Sequence, residues 1–420
     1  MKKSLFYFAL LFFSFTSSNA QEWIAITSPT TADFKSCSFV TATLGWIITD
    51  TAVYKTTDGG ITWVAQIVPA IPSNDVRVFS SIHFISDTVG IIGCANTLSP
   101  GFNPASLSNV LWTNNGGATW EYKDLGAAGD SVNDAKLVDT LIAYAIGRAG
   151  MCKKTVDGGL TWTPCDFSVS PQSNSFKLAA ISPDTVYFGG LDFGFFTNGS
   201  FGSTLDGGVN WDVVTVSNYT MRAIAFTSSQ IGFLGGGFGT ILGTNDGGAS
   251  WTTETTDVSD GSILDISFAT ATLGWAVTDS GRILHTADAG ATWNTEFTTS
   301  SSLRSVSFSA DSSIGYAVGD SGTLLKYGTS LGIEQQPLAV GFTVYPNPSQ
   351  GAMNINLANT GSGEKSVSVY TMLGQLIKTN TFPSDTEISI SRDKLPAGIY
   401  LITLTQGSKF LGSTKIIFKD

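Results

Sequence analysis

Basic residues are scarce in this 420-residue chain: 22 Lys and Arg stand against 33 Asp and Glu, a net charge of −11 with a sequence pI near 4.6. A general nucleic-acid binder needs a strongly basic face, and no basic run supplies one, so the composition argues against that class. Histidine occurs only twice, at His83 and His285. Cysteine occurs four times, at Cys37, Cys94, Cys152 and Cys165, with a spacing that matches no zinc signature, so no metal or cofactor is expected. After the first 20 residues no apolar run approaches the ~18 that a membrane-spanning helix requires. The mature chain is therefore not expected to be an integral membrane protein.

Glycine, with 46 residues, is abundant, and serine, threonine, β-branched and aromatic residues are spread evenly along the chain. That is the profile of a β-rich extracellular protein. The start, "MKKSLFYFALLFFSFTSSNAQ", has two lysines, an apolar stretch and small residues, which predicts a signal peptide over 1–20 cut between Ala20 and Gln21. Export makes disulfides possible. Cys152 and Cys165 flank the turn Asp157-Gly158-Gly159 symmetrically and are the favoured pair, with other pairings and buried free thiols left open.

One octet recurs six times: "TTDGGITW", "TNNGGATW", "TVDGGLTW", "TLDGGVNW", "TNDGGASW" and "TADAGATW", with Asp58, Asn115, Asp157, Asp206, Asp246 and Asp288 at its third position. Allowing for insertions, the period is that of a propeller blade. Each unit reads as four short alternating strands with the octet turning between the third and fourth. A seventh unit, 302–327, has three strands and no octet, while "EWIAIT" at 22–27 looks like the strand that follows an octet. The expected fold is therefore all-β: a seven-bladed β-propeller over 21–330, closed by strand 22–28 so that no edge is left open between the first and last blades.

The octet is expected to be mechanical. Asp or Asn can hold main-chain N–H groups at a tight turn and glycine accepts positive φ, whereas Asn115 could not replace a general acid or base. These octets resemble the Asp-box, or BNR, repeats of sialidase-like propellers. The fuller unit is similar to the photosystem II assembly and stability factor family.

The resemblance to sialidases implies an arginine triad and a Tyr activated by Glu. No such arginine signature stands near the N-terminus, and Glu22, Glu121, Glu254 and Glu296 all fall on or beside outer strands. Asp134 and Asp265, on inner strands, could in principle stand in for a catalytic acid. "GGGFG" at 235–239 precedes no helix and reads as turn material. Aligning the units on the end of the first strand places Lys35, Lys177, Arg222 and Arg304 four positions before Phe39, Ile181, Phe226 and Phe308. Ser80, Asn133 and Leu264 stand there in the other blades. This predicts a partial cationic ring at one mouth of the channel, able to hold a carboxylate, phosphate or acidic peptide.

After a polar linker, 331–341, the segment 342–420 reads as about seven short strands, enough for a small Ig-like β-sandwich. Its "YPNP", "VYTMLGQLI", "LPAGIYLITL" and terminal "KIIF" resemble the type A C-terminal sorting domain of the type IX secretion system. That resemblance implies passage through the outer membrane, by way of the secretion machinery, to a secreted or cell-surface location. The leading expectation is a non-catalytic propeller that binds a protein or glycan; the alternative is a sialidase-like glycoside hydrolase.

Overall fold

A computed structural model describes residues 22–69, 77–96, 107–128, 131–165, 174–193, 197–309, 314–328, 342–357, 363–371, 376–383, 387–393, 395–407 and 409–419. These fall into two compact units, 22–328 and 342–419. The expected cleavage site at Ala20 and Gln21 and the expected linker 331–341 lie outside the described residues.

The first unit is a seven-bladed propeller. Its inner strands are Ser36–Phe39, Arg77–Phe84, Val132–Leu137, Asn174–Ala180, Met221–Phe226, Ile263–Phe268 and Leu303–Phe308, in blades 1 to 7. Each inner strand packs on the next, and that of blade 7 packs on that of blade 1, so the ring is closed. In blades 1 to 6 the four strands follow chain order from the channel outward. Blade 7 instead takes its outer strand from the other end of the chain: Glu22–Ala25 pairs with Leu324–Gly328 in the register Trp23 to Tyr327. Blade 6 departs from the four-strand expectation, because Thr255–Thr256 adds a parallel fifth strand beside Thr292–Thr298.

One packing unit recurs between blades. The Phe that ends an inner strand lies flat on an aromatic ring of the preceding blade and makes a T-shaped contact with the Trp that closes its own blade's octet or, in blade 7, with Trp23. Phe39 stacks on Tyr316 at 3.5 Å and meets Trp63 edge-on at 6.3 Å. Phe84 does the same with Trp46 and Trp120, Phe226 with Tyr187 and Trp251, and Phe268 with Phe233 and Trp293. At the closure Phe308 stacks on Trp275 and meets Trp23. Such pairs add about 0.5–1.5 kcal/mol each beyond the area they bury. The glycine that starts the second strand is required by this ring: a Cβ at Gly45 would stand 2.1 Å from Phe39, and one at Gly232 2.4 Å from Phe226.

Each octet is a hairpin clasp. In the first, Asp58 Oδ1 accepts the Thr56 hydroxyl at 2.8 Å and the Thr62 N–H at 2.9 Å, and Oδ2 accepts the Thr62 hydroxyl. The glycines supply positive φ, 73° at Gly59 and 86° at Gly60. Asn115 keeps this geometry by reversing one bond: its Oδ1 accepts from the Thr113 hydroxyl and the Thr119 N–H, and its Nδ2 donates to the Thr119 hydroxyl at 2.8 Å. Cys152 and Cys165 are joined by a disulfide across blade 3, and Cys37 and Cys94 are buried thiols.

The described residues of the second unit hold seven strands in two sheets. Phe342–Tyr345, Met353–Leu357 and Glu387–Ile390 form one, and Leu376–Pro383, Glu364–Thr371, Gly398–Gln406 and Lys409–Phe418 form the other. Met353, Ile355 and Ile388 from the first sheet share a core with Val367, Ile402 and Leu404 from the second, which makes it a β-sandwich.

Hydrogen bonds from the residue four positions on, through side chain and main chain, hold the carboxyls of Asp58, Asp157, Asp206, Asp246 and Asp288 at a pKa of about 2, below the ordinary 3.8. Carboxyls depressed in the folded state contribute stability that is complete above the ordinary value and is lost as pH falls toward the folded one. Stability measured by urea denaturation is therefore expected to drop as pH is lowered from about 4 to about 2. An Asp157→Asn, Asp206→Asn double variant, which copies the native Asn115 into two further clasps, should show a shallower drop; an unchanged slope would contradict the clasp assignment.

Candidate functional site

Counting back from the last paired residue of each inner hairpin defines tiers along the channel wall. The fourth residue back is Lys35, Ser80, Asn133, Phe176, Arg222, Leu264 and Arg304 in blades 1 to 7. In blades 2 to 7 the ladder skips this residue, for example between Met221 and Ala223, so it forms a bulge that bends the strand start. The structure differs here from the sequence alignment. Blade 4 ends its inner strand on Ala180, paired with Val186, and Ile181 already belongs to the turn. Lys177 therefore stands one residue further along, and Phe176 occupies the tier in which the fourth cation was expected.

Lys177 belongs to the next tier, with Ser36, Ser81, Asp134, Ala223, Asp265 and Ser305. Inner strands have one unpaired edge, and buried N–H groups on it need acceptors. The preceding blade supplies them. Ser81 Oγ accepts from Ala135 N–H at 3.1 Å, Asp134 Oδ2 from Leu178 at 2.9 Å, Asp265 Oδ2 from Val306 at 3.1 Å, and Ser305 Oγ from Cys37 at 3.4 Å. Nearer the turn, Ser38, His83 and Ser307 do the same for Phe84, Leu137 and Phe39. His83 accepts through Nδ1, and burial, with a smaller contribution from Lys136, pushes its pKa well below the ordinary value, which keeps the ring neutral.

Asp134 and Asp265, the two inner-strand acids, are thus committed to this interblade girdle. Lys177 reaches past blade 5 to Asp265, Nζ to Oδ1 at 3.7 Å. Desolvation works against the lysine's charge, but Asp265 and Asp134 outweigh it and raise its pKa. Cys37 is pushed up to about 12 by burial, so it is a thiol rather than a nucleophile at neutral pH.

At the mouth, most of the cations are neutralised. Lys35 pairs with Asp50 at 3.1 Å, and Arg304 grips Asp320 with Nε and Nη2, a bidentate bond that raises its pKa further. Arg222 is different: it is exposed and lies 5.2 Å over the Phe176 ring, with no acid partner among the described residues. Two more aromatic residues belong to blade 5. Tyr219, in the loop leading to Arg222, is 42% exposed, and Phe238, in the turn between the second and third strands, is 64% exposed; their rings are 5.0 Å apart. Phe238 has a φ of 55°, a left-handed conformation that costs a bulky residue of order 1–3 kcal/mol.

The structure corrects the reading of "GGGFG" as turn material: Gly235 and Gly236 belong to the strand Gly232–Gly236, and only Phe238 and Gly239 make the turn, where the Phe is what matters. The available signal was the slot: the corresponding turns carry Ser280 and Ser321, small polar residues, where this one carries a Phe. No cluster of three or more His, Cys, Asp or Glu side chains placed to hold a metal occurs among the described residues.

Comparison with known proteins agrees with this architecture. Residues 205–295 and 260–328 match the family described as photosynthesis system II assembly factor YCF48. The propeller is similar to the photosystem II assembly factor. Residues 343–419 match the secretion system C-terminal sorting domain. A curated relative, the photosystem II assembly lipoprotein Ycf48 of Synechococcus sp. (strain CC9902), is 27% identical over 185 residues, 42% of this chain; the match spans about half of the relative, 48%. Among solved structures, YCF48 bound to D1 peptide has a TM-score of 0.57 at 22% identity, covering 73% of this chain and 97% of that one. YCF48 from Cyanidioschyzon merolae has a TM-score of 0.56 at 17% identity, with 73% and 99% covered. The protein U3-55K scores 0.58 at 10% identity, with 73% and 98% covered, and at these identities the likenesses are of fold.

The girdle is testable in this YCF48-like propeller. Asp134→Ala leaves the buried Leu178 N–H without an acceptor, which should cost about 1–3 kcal/mol in urea denaturation. Unchanged stability would show that Asp134 has no architectural role.

Proposed function

We propose that this protein is an exported binding module that holds an extended, acidic segment of another protein at the channel mouth over blades 4 and 5. The single observation that carries this reading is Phe238: an aromatic side chain kept exposed at the expense of backbone strain, on the same blade as Arg222, which has no acid partner among the described residues. Arg222 can donate bidentately to a carboxylate, while Phe176, Tyr219 and Phe238 offer flat apolar surface for neighbouring side chains or backbone. That a similar propeller has been solved with a D1 peptide bound supports a protein ligand over a glycan. Lys35 and Arg304 belong to the rim of the same mouth, but their acids leave them a lesser part, and Lys177 acts from within the wall.

The sorting domain supports delivery by the type IX secretion machinery, with the propeller released outside the cell or held at its surface. Two of the described features favour no catalytic role: Asp134 and Asp265 each spend a carboxylate oxygen on the backbone of the next blade.

Binding is best measured with short acidic peptides bearing a free C-terminus, their amidated forms, and a panel of anionic and neutral glycans. Arg222→Glu should weaken peptide binding about tenfold or more, equivalent to ~1.4 kcal/mol. Phe238→Gly should weaken it while leaving thermal stability unchanged or higher, since glycine tolerates the left-handed backbone. Glycan binding without peptide binding, or peptide affinity indifferent to both substitutions, would overturn the proposal.

Export has its own test. A chain lacking 342–420 should accumulate in the periplasm; normal delivery of the truncated propeller to the medium or cell surface would refute the sorting role.

A further inference from the structure

Two of the eight octet positions, the second and the sixth, carry side chains that the clasp does not use. In blades 2, 5 and 6 they are Asn114 and Ala118, Asn245 and Ala249, and Ala287 and Ala291, and in blade 1 Thr57 and Ile61. The octets of blades 3 and 4 instead have a large apolar residue at both: Val156 and Leu160, then Leu205 and Val209, all 61 to 75% exposed. The turn does not require them. Asp246 accepts the Ser250 N–H at 2.9 Å with Asn245 and Ala249 in these places, as Asp157 accepts the Thr161 N–H at 2.9 Å with Val156 and Leu160.

A fifth apolar side chain joins them. The fourth octet residue donates its N–H to a carbonyl in the turn that follows its own inner strand, and the residues accepting it are Thr43, Thr88, Leu141, Asp184, Gln230 and Thr272 in blades 1 to 6. Five are polar, whereas Leu141 of blade 3 is apolar and exposed. A Cβ on Gly158 would stand 3.8 Å from Leu141 Cδ2, so this side chain borders the blade 3 octet. The same bonds place every octet at the end of the channel where the inner strands finish, opposite the mouth that carries Arg222. Blades 3 and 4 adjoin closely there. Lys154 Nζ, on the third strand of blade 3, donates to the carbonyls of Gly207 and Pro183 at 2.9 and 3.4 Å, and Cys165 Sγ lies 3.5 Å from where a Cβ on Gly208 would be.

Large apolar groups left in water at positions where the fold accepts Asn or Ala mark an interaction surface. Charge indicates what covers it. Asp139, Asp157 and Asp206 each lie within two residues of one of the five, and Asp184 holds Gly207 through its carbonyl. None of the four is in a salt bridge among the described residues. Lys154 is committed to its two carbonyls, and Lys123, which borders Gly159 from blade 2, pairs with Glu121 at 2.7 Å. A second copy of this chain would bring the same acids into contact, and an anionic lipid surface would be repelled likewise, whereas a cationic partner is attracted. We propose that the octet face of blades 3 and 4 is a docking surface for a basic amphipathic segment of another protein, whose apolar side chains cover Leu141, Val156, Leu160, Leu205 and Val209 while its Lys or Arg groups lie beside the four carboxylates. This surface is separate from the mouth over blades 4 and 5 and does not depend on it.

The probe is a labelled synthetic amphipathic peptide of Leu and Lys, compared by fluorescence anisotropy with two relatives, one with every Lys replaced by Glu and one with every Leu replaced by Ser. The full chain should bind the Leu and Lys peptide saturably, and each relative at least about tenfold more weakly. A Val156→Asn, Leu160→Ala, Leu205→Asn, Val209→Ala variant copies the octets of blades 2 and 5 and keeps the net charge. It should lose about tenfold or more in affinity with thermal stability unchanged. Should it fail to fold, the single variant Leu205→Asn should weaken binding in the same direction. Asp157→Asn, Asp206→Asn should weaken binding and make it less sensitive to salt. Wild-type affinity in the folded apolar variants would mean that the peptide follows net charge alone and would overturn the proposal. So would self-association in sedimentation, or binding to phosphatidylglycerol vesicles, that the fourfold variant abolishes, since either would assign the face to a second copy or to a membrane.

Discussion

The propeller depends on a phenylalanine held between two blades. Its face lies on an aromatic ring of the blade before, the tryptophan of its own hairpin clasp stands in a T-shaped contact with it, and the glycine that follows in the second strand leaves room for it. Apolar burial alone is non-directional and would let radial sheets slide on one another. Stacked rings at 3.5 Å with a glycine beneath admit one register, so the same contact that buries area also sets the angle between blades. The clasp exists to deliver the tryptophan, which is why its acids are spent on threonine hydroxyls and main-chain N–H groups.

Toward the channel the problem is different, because the inner strands present an unpaired edge to a narrow interior. Here short polar side chains of one blade cap the N–H groups of the next, and buried charges appear only where they are matched. Asp134, Asp265 and Lys177 form one such set, joined by a lysine that crosses a blade whose own residue at that level is Ala223. That set is matched within the wall, whereas Arg222, Tyr219 and Phe238 leave charge and aromatic surface exposed at the mouth.

The blades most legible in the sequence were those with the phenylalanine. Phe39, Phe84, Phe226, Phe268 and Phe308 mark the strand end unambiguously, and blades 1, 2, 5, 6 and 7 were aligned correctly from them. Blades 3 and 4 end instead on Leu137 and Ala180. Without the marker Ile181 looked like the strand end, and the one-residue slip moved Lys177 into a tier it does not occupy. A period of two along a strand makes any such slip a change of face. The aromatic patch was missed for a related reason: a turn motif predicts backbone conformation, whereas Phe238 matters for where its side chain is left.

The sequence by itself determined the number of blades, the clasps, the closure by the N-terminal strand and the sandwich that follows, because each is written as a local pattern repeated or broken at a countable position. The tertiary structure decided which charges are free. Lys35, Arg304 and Arg222 look alike as letters, yet Asp50 and Asp320 neutralise the first two, while the third lies over a phenyl ring with no acid partner among the described residues. Such pairings are set by contacts between strands and blades distant in the chain, and local periodicity carries no record of them.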